Sequence, residues 1–242
     1  MNNTIKELLE RQSIRAYKKE EISSEDKKTI IEASVNAPSA GNMQLYSIID
    51  VTSQEIKDKL AVLCDNQPFI SSASMVLIFC ADYQKWYDAF NDLKLDPRNP
   101  DTGDLLLACE DAIIAAQNSV TAAYSLGIGS CYIGDIMENY EEIVDLLELP
   151  QFVYPACMVV YGYIDEEHRP LVKPKRVNNK YVVFNNKYKR LDNNELKDMF
   201  LDKTVAKGYE EWMKMFIERK YNSDFSKEMS RSANKYIERF KK

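Results

Sequence analysis

Apolar residues return at helical spacing from the start of the chain. Ile5, Leu8 and Leu9 form one stripe, and Thr4 with Glu7 reads as a capping box for a short helix ending near Arg11. A second helix opens at Ser23 with Asp26, turns Ile30, Ile31, Ala33 and Ala37 inward, and stops at Pro38. Residues 46–51 predict a strand, after which Thr52 with Glu55 caps a third helix carrying Ile56, Leu60 and Leu63. The run 75–81, Met-Val-Leu-Ile-Phe-Cys-Ala, has no polar side and predicts a strand buried on both faces. Residues 88–104 are polar and contain Pro97 and Pro100, the pattern of a loop. Residues 105–126 then predict a long, fully buried central helix closed by Gly127. A short strand over 129–133, a helix over 140–149 stopped by Pro150, and a strand over 155–163 follow. Helix and strand alternate without a strict parallel repeat, which predicts a mixed α+β fold rather than a doubly wound sheet. In the tail, Phe225, Met229, Ala233, Tyr236, Ile237 and Phe240 fall on one helical face, which must lie against apolar surface of this chain or of a partner subunit.

Composition narrows the classes. The 242 residues carry 32 Lys+Arg against 38 Asp+Glu, a net charge of −6, with 45% hydrophobic content. Such a chain builds its own core without disulfide or metal staples. Five cysteines, 16 to 29 residues apart and with no CxxC pair, argue against a disulfide framework or a zinc knuckle and for a reducing cytoplasm. The single histidine, His168, lies in an acidic string and reads as a solvated loop residue, which excludes multi-His metal sites and His-based triads. The start of the chain lacks a basic stretch followed by an apolar one, so no secretory signal is expected. Residues 112–134 carry no formal charge, yet Gln117, Asn118, Ser119 and Thr121 make them too polar for a membrane span. Residues 171–190 hold seven cations and no acid, and 200–242 have a net charge of +4, which reads as a solvated face. The acidic whole and the lack of an aromatic RNA-binding signature exclude nucleic acid.

There is no GxxxxGK[ST], GxGxxG, HExxH or GxSxG motif. What remains is a set of polar and basic residues at predicted turns: Arg11-Gln12-Ser13-Ile14-Arg15, Ser39 after Pro38, Gln67, Tyr132-Ile133-Gly134, and Lys173-Pro174-Lys175-Arg176. Taken singly, Arg11 and Arg15 serve equally as salt-bridge partners for Glu10, Glu20 or Glu21, and Ser13 and Ser39 as turn or cap residues.

Taken together and in this order, the five elements resemble the FMN-dependent nitroreductase family over nearly the whole chain. They are most similar to its oxygen-insensitive NADPH nitroreductase and NADPH-flavin oxidoreductase branch. The resemblance implies a nitroreductase-like fold with a mostly antiparallel central sheet flanked by helices. It also implies a single FMN-binding domain over 1–242, with 191–242 as a helical extension packing on the partner of a homodimer. Arg11, Gln12, Ser13, Arg15, Ser39, Gln67, Tyr132, Ile133, Gly134, Lys173 and Lys175 are then the cofactor-binding residues. Arginine forks and serine hydroxyls suit a phosphate, and a cation at the pyrimidine edge would stabilise the reduced, anionic flavin. Arg231, Lys203 and Lys207 are implied to reach the acceptor or the nicotinamide nucleotide. The implied activity is ping-pong hydride transfer from NAD(P)H, with NADPH preferred, to nitroaromatics, quinones or flavins; the chemistry belongs to FMN, and no catalytic side chain or metal is expected. The alternatives are an NAD(P)H:flavin reductase that releases reduced FMN, a non-catalytic flavin-binding protein, or a helical interaction module using the basic tail. The sequence departs from the branch at Arg11, often His there, at Lys175, usually Arg, and at Asp135, where a second glycine is expected.

Overall fold

A computed structural model of the chain describes residues 2–165, 167–168 and 172–241. They form two compact units, Met1–Leu171 with Glu228–Lys242, and Val172–Lys227.

Along the first unit run α1 (Asn3–Glu10), α2 (Ser24–Val35), β1 (Tyr46–Asp50), α3 (Gln54–Leu63), α4 (Pro68–Ser71), β2 (Met75–Asp82), α5 (Gln84–Asp92), α6 (Thr102–Ser125), β3 (Ile128–Ile133), α7 (Tyr140–Leu147) and β4 (Val153–Tyr163). The second unit holds α8 (Asn193–Met199), α9 (Leu201–Thr204) and α10 (Tyr209–Phe216). The last helix, α11 (Asp224–Phe240), belongs to the first unit from Glu228 onward.

The strands form one sheet in the order β1-β2-β4-β3, and every neighbouring pair is antiparallel. All of β2 is buried, as its unbroken apolar run requires of a strand covered on both faces. α6 packs on the sheet and on α2, and its buried positions include Ala108, Ala112, Ala115, Ala116 and Ala123, whose small side chains let neighbours approach closely.

Several expectations change. Asn2, not Thr4, caps α1, its side chain accepting the Ile5 N–H at 3.0 Å; Ser53, not Thr52, caps α3. Either polar residue can cap, and the chain's direction into the helix selects one. The polar stretch expected as a loop contains α5 up to Asp92, because Trp86, Tyr87 and Phe90 supply an inward edge. The Trp86 indole N–H donates to Met43 O at 2.9 Å, and Tyr87 meets Phe152 edge-on at 4.9 Å. Beyond α5, Arg98 ties the remaining loop to the start of α6 through Asp104. α6 is not buried all round: Leu106 (61% exposed), Leu107, Ile113 and Ile114 face outward, as do Ile5, Leu8 and Leu9 of α1. The expected packing of the C-terminal extension on a partner is corrected for the end of α11. Tyr236 meets Tyr140 and Tyr154 at 4.7 and 4.8 Å and Phe240 meets Phe152 at 5.7 Å, all within this chain's own core. His168 is exposed and paired with Asp165 at 2.8 Å; Glu166 and Arg169 of the same string lie outside the described residues.

Candidate functional site

Two glycines seat the arginine-bearing segment. After α1, residues 11–17 run extended alongside the sheet: Ser13 bridges Ser130 in parallel pairing, the Ile14 N–H donates to Ser130 O at 3.0 Å, and Tyr17 bridges Ile164. Gly129 of β3 and Gly162 of β4 are register partners beneath it. A Cβ on Gly129 would lie 2.8 Å from Ile14 Cγ1, and one on Gly162 would lie 2.7 Å from Tyr17 Cγ, so only glycine admits this approach. Ile14 is buried at 1% exposure, and the period of two in extended chain then turns Arg11, Ser13 and Arg15 to the other side.

These three donors converge on Cys131. Burial pushes its thiol up, opposed by the Arg15 charge, a hydrogen bond with Ser13 and the Arg11 charge. Arg15 also lies over the Phe69 ring at 5.8 Å, so the turn before α4 that carries Gln67 is its neighbour. In that turn Asp65 and Asn66 adopt left-handed backbone, and the Gln67 amide donates to Cys64 O at 2.7 Å. Gln12 is half-buried between Arg11 and Ser13. Tyr132 contacts Gln117 through its hydroxyl at 3.4 Å and feels the Arg11 charge, while burial raises its phenol. Ile133 is buried, and a Cβ on Gly134 would meet nothing within 4 Å: the chain leaves open space at the end of β3. Asp135, which replaces the expected second glycine, directs its charge toward Cys64 and Glu138.

Ser39 sits in a different turn, where Gly41, Asn42 and Gln44 all have positive φ. Its hydroxyl oxygen accepts the Gln44 N–H at 3.0 Å, leaving the O–H proton to donate elsewhere.

Of the expected residues in the second unit, Lys173, Lys175 and Lys203 line a cleft of about 730 Å³ together with Arg176 and Lys180. Lys175 pairs with Asp202 at 3.4 Å, Lys180 and Tyr181 both donate to Asp198, and Lys203 lies 5.8 Å from the Phe200 ring centroid. Lys207 sits apart from this cleft, its ammonium 3.1 Å from Met215 Sδ. Arg231, the residue implied for the acceptor site, forms a two-pronged pair with Glu141 at 2.7 and 2.9 Å and a second with Glu228 at 2.8 and 2.9 Å. Two carboxylates satisfy its planar fork locally. Glu228 also accepts the Asn139 N–H and the Ser232 hydroxyl, anchoring α11 to the start of α7; chiefly through the Arg231 hydrogen bonds, its carboxyl falls to about 2.

Reading the sequence alone missed Gly129 and Gly162, Cys131, and Glu138. Paired glycines on adjacent strands were the available signal for the first. Glu138 has none: a surface-like residue is only 5% exposed, its Oε1 finds no partner, and burial together with Asp135, Asp65 and Glu228 raises its carboxyl to about 7.

Two arginines, a serine and an amide beside open space form a set of cationic and neutral donors suited to a phosphorylated planar ligand. Comparison with known proteins agrees. The chain is 33% identical to an FMN reductase [NAD(P)H] of Bacillus subtilis, covering 99% of this chain and 92% of the relative. It is 33% identical to the oxygen-insensitive NADPH nitroreductase of Salmonella typhimurium, over 79% of this chain and 77% of that one. The structure of the NADPH:FMN oxidoreductase from Vibrio harveyi, complexed with NAD+, superposes with a TM-score of 0.83 at 29% identity and 98% coverage of both chains. Since the profile of the Nitroreductase family also matches residues 8–163, more than half the sequence, the chain belongs to the nitroreductase family.

Proposed function

We propose that this chain is an FMN-dependent NAD(P)H oxidoreductase that reduces nitroaromatics, quinones or flavins, with NADPH as the preferred donor. The observation that carries the reading is the placement of Arg11, Ser13 and Arg15 on one side of an extended segment that acts on Cys131 and pairs with β3, the strand that ends in open space at Gly134. No carboxylate belongs to that set, so it fits the phosphate and the electron-rich pyrimidine edge of FMN. When bound, FMN supplies the two-electron hydride transfer between nicotinamide and acceptor.

The side chains bind and orient. Arg15 and Ser13 donate to the cofactor, Arg11 adds positive charge, Gln67 offers its amide, and Ser39 adds a neutral donor for the phosphate. Tyr132 and Ile133 set the end of β3, where Gly134 presents backbone without a side chain. Lys173 and Lys175 are retained as phosphate donors, and Lys203 and Lys207 as partners of the nicotinamide nucleotide, on the resemblance alone. We treat residues 1–242 as one FMN-binding domain that works as a homodimer. The outward apolar faces of α1 and α6, with Leu9 at 59% and Leu106 at 61% exposure, support the dimer. Five free cysteines support a cytoplasmic setting, and among the described residues no helix is long and apolar enough to cross a membrane. The relatives named FMN reductase favour one second reading, an NAD(P)H:flavin reductase releasing reduced FMN.

An anaerobic visible spectrum of the purified protein, titrated with NADPH and then NADH, tests this. Flavin bands that bleach and return on adding a nitroaromatic or quinone support the oxidoreductase; turnover that requires added FMN and not a nitro compound selects the flavin reductase. Arg15→Ala is expected to weaken FMN binding by about 10- to 100-fold, the loss of a charge-assisted hydrogen bond, with the fold retained. Unchanged flavin occupancy in that variant would overturn the cradle.

A further inference from the structure

The turn that presents Ser39 is held by a buried carboxylate on another element. Asp111, in the middle of α6, is 2% exposed. One of its oxygens accepts the Ala40 N–H at 2.9 Å, and the other accepts the Leu45 N–H at 3.1 Å. These amides stand at the two ends of a turn whose interior, Gly41, Asn42 and Gln44, has positive φ, a conformation that glycine and asparagine tolerate and that Gln44 adopts only where its surroundings impose it. A buried charge is costly unless its hydrogen bonds are met, and here both partners are backbone groups of one turn. Inside that clamp the Gln44 N–H reaches the Ser39 oxygen at 3.0 Å, which fixes the direction left for the Ser39 O–H.

We propose that Asp111 is a positioning residue for cofactor binding: by clamping both ends of the 39–45 turn it aims the Ser39 hydroxyl at the FMN phosphate without touching FMN itself. The proposal rests on the assignment of Ser39 as a phosphate donor. Asparagine at this position retains one acceptor oxygen and sets an NH₂ group against the second backbone N–H, so one end of the turn is released while size and packing are kept. Because the effect passes through a phosphate donor, it must distinguish FMN from riboflavin, which has the same ring and no phosphate. Loss of general stability does not make that distinction.

The experiment measures FMN and riboflavin affinity by flavin fluorescence in the full chain and in Asp111→Asn, Ser39→Ala and the double variant. Asp111→Asn is expected to weaken FMN about tenfold and riboflavin less than about threefold, and to cost almost nothing more once Ser39 is alanine, the non-additivity of groups acting through one contact. Equal loss of both ligands, an unchanged FMN affinity, or the same loss in the Ser39→Ala background overturns the proposal. Ser39→Ala with full FMN affinity overturns the Ser39 assignment and this proposal with it; Ser39→Ala that weakens FMN beside a silent Asp111→Asn overturns this proposal alone. Should Asp111→Asn fail to fold, amide exchange in the unaltered protein decides. Slow exchange at Ala40 and Leu45 that slows further with FMN, but not with riboflavin, supports the clamp, and exchange at the rate of an open loop refutes it.

Discussion

The two compact units solve the same stability problem by different means. In the first, β2 and nearly all of β4 are buried, and the sheet is closed over by α6 and the aromatic end of α11. In Val172–Lys227 only Tyr181 and Thr204 are buried. That unit carries fourteen Lys and Arg against eight Asp and Glu, a net of +6 that leaves −12 on the rest of the chain. It is held by exposed pairs such as Lys180–Asp198 and Lys175–Asp202 and by the stack of Trp212 on Phe216 at 4.8 Å. Burial of apolar surface is not screened by salt, whereas exposed pairs contribute little and are screened. The difference therefore teaches where rigidity resides: the arginine segment is pinned to the buried sheet, and the lysine cleft is built on surface electrostatics.

The largest effect that sharpens this contrast lies in the sheet. Phe79→Ala, at a fully buried position of β2, is expected to cost about 3–5 kcal/mol of unfolding free energy in urea titration. A cost below about 1 kcal/mol would break the account of the first unit.

The next concerns Glu138, whose carboxyl stands near 7 against an ordinary 4.5. Below pH 4.5 both folded and unfolded chains hold the proton; between 4.5 and 7 the folded chain holds more of it, so this group's stabilising contribution falls as pH rises through that window. Glu138→Gln is accordingly expected to stabilise the protein by about 1–2 kcal/mol at pH 8 and to be nearly neutral at pH 4.5. Thermal melts at the two pH values check it, and an equal effect at both would refute the buried charge.

The smallest effects belong to the second unit. Raising salt to about 1 M, where screening acts over about 3 Å, is expected to speed proteolytic cleavage within 172–227 and leave the sheet unit protected. Asp198→Asn, which removes the negative charge that Lys180 and Tyr181 share, should mimic that change at low salt. Mass-resolved limited proteolysis reads both, and cleavage that ignores salt would refute the electrostatic account.

Much of the first unit was legible because its signals are local. The apolar run of β2, the Ser23 cap of α2, Gly127 with its φ of 75° after α6, and Pro150 beyond α7 each act within a few residues. α5 was hidden because Trp86 and Tyr87 declare a face only once Met43 and Phe152 are there to meet them. The outward side of α6 was hidden for a related reason: alanines and leucines alternate in a pattern that reads as buried all round, and which side meets the sheet is a tertiary choice. Among the candidate residues, Arg11, Ser13 and Arg15 were singled out by the resemblance, and the structure sets them on one side of an extended segment; for Arg231 the i,i+3 partner Glu228 was local, whereas Glu141 meets it only when α11 folds back onto α7.

The sequence by itself determined the mixed α+β class through periodicity and caps, and the family through the resemblance its motif order carries, because all of these are properties of neighbours along the chain. Only the tertiary structure decided that Gly129 and Gly162 seat Ile14 and Tyr17, that Asp111 clamps the Ser39 turn, and that Glu138 loses its water among other acids. Each of these depends on groups far apart in sequence meeting at contact distance, where sterics and desolvation act and where one-dimensional pattern carries no distance information.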